Sequence, residues 1–126
     1  MQVDEDIYTA LSSDANVTNL ASSRLYPVRA PQDPLPPYVV WTRISSVPED
    51  QHDTTTTPGL YRTTYQVSTY AKTFAEVDAL LAVVRVALLT AGAVGQAAIQ
   101  EARRDNYEPA TELYRADLDI TFWHNA

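Results

Sequence analysis

The chain has 126 residues, 45% apolar and 20% charged, with a formal net charge of −7 and no cysteine. One compact domain fits this length and two well-cored ones do not; disulfides, thiolate metal sites and cysteine nucleophiles are excluded. The acidity argues against ordinary nucleic-acid binding, because phosphate affinity needs clustered Lys and Arg, but it suits a surface that must stay soluble and repel DNA.

The N-terminal MQVDEDIYTALSSD is acidic and lacks a basic segment followed by an apolar one, so no secretory signal is expected there. Asp4, Glu5 and Asp6 complement the positive end of a helix. With Ile7, Ala10 and Leu11 at helical spacing, they predict a short helix over about Val3–Ser13. A second short turn holding Val17 and Leu20 follows, then a brief extended RLYP.

Next comes APQDPLPPYVVWTRIS, in which Pro31, Pro34, Pro36 and Pro37 run directly into a strand beginning at Tyr38. Proline fixes φ and lacks an N–H, so this segment is neither helix nor central strand. It reads as an extended arm over about residues 27–37. Its carbonyls are met by water or by a neighbouring chain, which leaves two readings: a flap on its own domain, or an arm reaching a partner.

The strand YVVWTRISSVP is followed by EDQHDTTTTPG, polar and ending in a Pro-Gly turn signal. A long mobile hairpin loop is expected over about 48–59, longer than most such loops and so a candidate binding element. The return strand alternates Tyr61, Thr63, Tyr65, Val67 and Thr69 against Arg62, Thr64, Gln66 and Ser68, the period of a sheet with one wetter face.

KTFAEVDALLAVVRVALLTAG is the clearest element. Thr73 and Glu76 form a capping-box pattern, and Phe74, Val77, Leu80, Leu81, Val84 and Leu88 form a stripe at helical period. Gly92 and Gly95 are expected to terminate it. Asp78 and Arg85 argue against reading 77–94 as a membrane span. The helix is apolar beyond one stripe, with Ala75, Ala79, Ala82, Val83, Val86, Ala87 and Leu89 on other faces. A second subunit could cover that face; alanine used for propensity under the N-terminal helix is the alternative. Two strands close the chain, GQAAIQEARRDNYE and ELYRADLDITFWH, around a turn in DNYEPATEL. In the last, Tyr114, Ala116, Leu118, Ile120 and Phe122 share a face against Arg115, Asp117, Asp119 and Thr121. The expected fold is a single α+β domain over 1–126, a two-layer sandwich with a mostly antiparallel four-stranded sheet and its helices on one face.

Candidate chemistry is sparse. Glu49, Asp50, His52 and Asp53 offer oxygen and imidazole ligands, but their spacing matches no calcium loop or zinc motif, and a solvated loop accounts for them. His124 reads as a solvated histidine at a strand end. Asp117 and Asp119 read as a wet sheet face paired with Arg62 or Arg115, and Arg103 and Arg104 as a salt-bridged edge strand. There is no glycine-rich phosphate loop and no nucleophile elbow. No enzyme, metal or cofactor is expected.

In order and spacing, IYTALSSDANV, then RLYPVRAPQDPLPPYVVWTRIS, then YRTTYQVSTYAKTFAEVDALLAVVRVAL, then ELYRADLDITFW, the chain resembles the tail-completion or tail-terminator family of long-tailed bacteriophages, also found in prophages and gene transfer agents. The resemblance implies a virion protein that forms a hexameric ring at the head-proximal end of the tail tube. Such a ring stops tube growth and joins tail to head, with DNA in transit through its channel. The implied partners are further copies of the chain, the tube protein and the head connector or stopper, with no membrane. No catalytic or metal residue is implied. The candidate subunit or tube contacts are Pro31, Pro34, Pro36 and Pro37 of the arm; Glu49, Asp50, His52, Asp53, Thr54, Thr55, Thr56 and Thr57 of the loop; and Ala79, Ala82, Val83 and Val86 of the helix. Two other readings stand beside this one: another neck component, such as a head-side stopper or connector adaptor, and a small-ligand or enzymatic α+β domain with its site at Glu49–Asp53.

Overall fold

Three helices cover one face of a five-stranded sheet in the computed structural model, which describes residues 3–32, 34–48, 60–90, 92–95 and 97–125. Along the chain these are α1 (Val3–Ser12), α2 (Ala15–Ala21), β1 (Leu25–Pro27), β2 (Tyr38–Pro48), β3 (Leu60–Ala71), α3 (Phe74–Leu89), β4 (Ala97–Glu108) and β5 (Leu113–Asn125). The sheet order is β1-β2-β3-β5-β4. Every neighbouring pair is antiparallel except β1 with β2. The α+β layering is as expected. Among the described residues no helix is long and apolar enough to cross a membrane.

The fifth strand departs from the four-stranded expectation. Leu25 pairs with Val39 and Pro27 with Trp41 in parallel register. A parallel partner requires a crossover connection, and residues 28–37 are that connection. Pro27, without an N–H, fits the end of an edge strand. The Val28 amide extends the pairing by donating to the Trp41 carbonyl at 2.8 Å. At the other end of the arm, the Arg24 side chain donates to the Pro37 carbonyl at 2.8 Å. The proline segment is therefore built into its own domain at both ends.

The core lies between the helices and one sheet face. Strand alternation turns Val39 and Trp41 (β2), Tyr65, Val67 and Ala71 (β3) and Ala116, Leu118, Ile120 and Phe122 (β5) towards Ile7, Leu11, Val17, Val77, Leu80, Leu81, Val84 and Leu88. Asp14 caps α2 by accepting from the Asn16 and Val17 amides, and Thr73 caps α3 by accepting from Glu76 N. Tyr65 and Phe122 meet edge to face at 5.9 Å. Trp41 Nε1 is buried without a hydrogen-bond partner among the described residues, and the buried Tyr65 hydroxyl lies beside the Asp4 carboxylate. Burial, and after it the nearby Asp4 carboxylate, holds the Tyr65 phenol well above its ordinary pKa.

Other details differ from the sequence reading for local reasons. Phe74 leaves the core stripe and is half exposed, because it packs edge-on against Tyr114 at the sheet margin. At the other end of the helix Ala87 joins the buried stripe. The helix ends at Thr90, whose backbone is extended and whose hydroxyl donates to the Val86 carbonyl. Gly92 and Gly95 instead serve the turn that follows, both with positive φ. A Cβ on Gly95 would stand 2.6 Å from the Trp123 carbonyl oxygen, so no other residue fits there without a shift. The closing turn is shorter than expected. Tyr107 still pairs with Tyr114 and Glu108 with Leu113, leaving only residues 109–112 between the strands.

Candidate functional site

The outer face of α3 presents Ala75, Ala79 and Ala82 as exposed methyl groups, with Val86 60% exposed beside them. Val83 is turned halfway into the core cluster. Neither α1 nor α2 covers this strip. The alternative in which the N-terminal helix lies on top therefore fails: α1 and α2 pack against the buried side of α3, as Ile7, Leu11 and Val17 in the same core show. Three of the four helix residues expected at a contact are thus free to make one.

The arm lies on the other side of the sheet. Ala30 packs with Tyr26, Tyr38, Val40, Tyr70 and Leu113, a small cluster on the helix-free face. Of the four prolines, Pro31 is exposed and Pro34, Pro36 and Pro37 are half buried. Between and before them, Leu35 (70%) and Val28 (67%) point to solvent. Sequence reasoning named the prolines; the apolar side chains actually presented are their neighbours. The loop candidates Glu49, Asp50, His52, Asp53 and Thr54–Thr57 lie outside the described residues.

The helix-free face holds a polar network that alternation indicated only in outline. Asp117 is 4% exposed. It accepts from the Ser68 hydroxyl at 2.6 Å and from Arg115 Nε at 2.7 Å. Arg115 also reaches Glu108 at 3.4 Å and stands over the Tyr70 ring at 5.5 Å. Tyr38 and Tyr70 stack at 4.6 Å. Burial, then the neighbouring Tyr70 and Glu108, pushes the Tyr38 phenol up to about 12; burial chiefly raises Tyr70 as well. Arg115 is thus the partner expected for Asp117, though along the strand and not across it. Arg104 binds Asp119 through two hydrogen bonds of 3.0 Å. Arg103 bridges Asp78 on α3 and Asp105. The edge-strand reading of Arg103 and Arg104 is borne out.

His124 overturns its expectation. It is 5% exposed, with Nε2 2.6 Å from the Thr63 hydroxyl, which in turn lies 3.0 Å from the Ser46 hydroxyl. Register explains this: His124 sits opposite Tyr61 on the inner face, with its ring stacked on that tyrosine. The Asp117, Asp119, Arg103, Arg104, Arg115 and His124 side chains all have partners, and among the described residues no set of three metal-ligating side chains gathers.

Comparison with known proteins supplies what the geometry leaves open. The family model described as tail completion protein gp17 matches residues 5–125. A search of curated protein sequences finds no match. Among solved structures, a chain from the virion of a native gene transfer agent particle superposes with a TM-score of 0.73 at 20% identity, over 95% of this chain and 92% of that one.

Proposed function

The chain belongs to the tail completion protein gp17 family, structural proteins of the virion and not enzymes, and from that premise we propose that it is the subunit of a hexameric ring at the head-proximal end of a tail tube. The ring stops tube growth, joins the tail to the head connector or stopper, and passes DNA through its channel without reading it. The observation that carries this reading is the exposed apolar strip Ala75–Ala79–Ala82–Val86 on a chain of net charge −7. A helix face so short of charge is usually covered. Here another copy covers it.

The exposed Val28 and Leu35 of the arm belong to a second contact, towards the tube protein or the head. The loop at 48–59 extends that set. Six chains of −7 carry a formal charge of about −42, a field that keeps passing DNA from adhering.

Removing the gene from its phage or gene transfer agent and imaging the lysate by negative stain tests the assignment. Overlong tails of scattered length, with full unattached heads, are expected. Free tails of normal length would move the chain to the head side of the joint, as a stopper or adaptor. Intact particles would overturn the reading.

A further inference from the structure

The C-terminal ends of α1 and α3 converge on an open notch of about 360 Å³. Thr9, Ser13 and Asp14 wall it on one side and Thr90 on the other, with Ala10 and Ala87 among the lining. A helix C-terminus carries roughly half a negative elementary charge, and neither helix has a basic residue in its last turn. The Ser13 hydroxyl donates to the Thr9 carbonyl and the Thr90 hydroxyl to the Val86 carbonyl, each at 2.6 Å. Their protons are therefore engaged, and what remains to offer is acceptor oxygen. Asp14 adds a carboxylate, whose Oδ1 accepts from the first amides of α2 and whose full charge outweighs the positive end of that short helix. Two negative helix ends and a carboxylate thus meet around alanine methyl groups, with no Lys, Arg or His in the lining among the described residues. The chemistry that fits is an ammonium on an aliphatic stem.

The other end of α3 has the opposite defect. Lys72, the chain's single lysine, is exposed one residue before the Thr73 cap, at the positive end of the helix. It makes no hydrogen bond or ion pair among the described residues. Its charge is misplaced on its own helix and would be well placed at a helix C-terminus.

We propose that Lys72 of one copy inserts into the notch at the C-terminal end of α3 of the next copy. The two patches differ, so the contact is head-to-tail, the type that generates closed rings when the rotation closes. This inference rests on the ring reading and adds to it the polar contact that sets the direction of packing around the ring.

Sedimentation of the full chain over a concentration series tests this contact and separates it from the ring reading. Lys72→Glu is expected to weaken association about tenfold or more. It should also raise the melting temperature of the monomer slightly, because an acid suits the start of α3. Ser13→Lys alone is expected to weaken association similarly, and the Lys72→Glu, Ser13→Lys double variant to recover much of the loss. With only one lysine in the chain, acetylation read by mass spectrometry supplies a second measurement: Lys72 is protected in the assembled fraction and reactive in the monomer. An assembled wild type whose Lys72→Glu variant associates equally well overturns this contact and leaves the ring reading standing. The same holds if Arg29→Glu, which reverses an exposed cation on the arm, disrupts assembly and Lys72→Glu does not. A wild type that stays monomeric at every concentration overturns this contact between free copies, and the tail lengths after gene removal then decide the ring reading.

Discussion

At the residue scale, the helix-free face shows how a sheet side expected to be wet becomes half closed. Asp117 is tolerated at 4% exposure because Ser68 and Arg115 both donate to it. Tyr38 is neutral beneath its neighbours, with a pKa raised from 10.0 to about 12. The sign of the pH effect follows. The folded state holds this proton more tightly than the unfolded chain, so Tyr38 costs no stability below pH 10. It withdraws stability as pH rises from about 10 to about 12. Tyr38→Phe is therefore expected to flatten the fall of the chemical-denaturation midpoint over that interval, with Tyr65 and Tyr70, also raised, carrying what remains. An unchanged alkaline profile would mean the phenol is not shielded.

Residue alternation placed Asp117, Asp119 and Arg115 on one face without any knowledge of depth. Depth came from groups far along the chain: Ser68 is 49 residues from Asp117, and Thr63 is 61 from His124. The burial of His124 is invisible in its local sequence for that reason. Nothing within a few residues of it signals a stacked Tyr61 or a facing hydroxyl.

At the scale of elements, α3 separates folding from assembly on a single helix. Val84 is fully buried and Val86, two residues on, is 60% exposed. Val86→Glu is expected to change monomer stability by no more than about 0.5 kcal/mol, as exposed substitutions usually do, while abolishing self-association. Val84→Glu buries an unpaired carboxyl and should cost roughly 4 kcal/mol or more. Circular dichroism melts beside sedimentation distinguish the two. A Val86→Glu protein that assembles normally would remove the outer face of α3 from the interface. The helix itself was legible, since its stripe and its Thr73 cap are local signals. Its first residue was not: Phe74 finds Tyr114, forty positions away, and abandons the core for it. The proline arm was legible as an extended segment. Its role as the crossover of a parallel β1–β2 pair was not, because three residues of strand carry too little pattern to announce a partner.

At the scale of the molecule, charge and architecture support the same reading. An acidic chain in which Arg103, Arg104 and Arg115 are committed to its own carboxylates has little clustered positive charge to offer phosphate. No retardation of duplex DNA is expected in a mobility-shift assay even at low salt; a salt-sensitive shift would contradict passive transit. The two-layer fold places the apolar strip of α3 on one side of the sheet and Ala30 of the arm in the cluster on the other, so one subunit can face two different neighbours.

Periodicities of two and 3.6, proline and glycine punctuation, and the order of the pieces suffice for the α+β class, the helices and strands, the lack of catalytic chemistry and the family likeness. These are properties of segments, and they survive without partners. Strand order, the parallel edge, the burial of Asp117 and His124, and the meeting of two helix ends at a notch all depend on which distant segments lie side by side. Register and packing across the core settle that pairing, and neither is encoded within any one stretch of the chain.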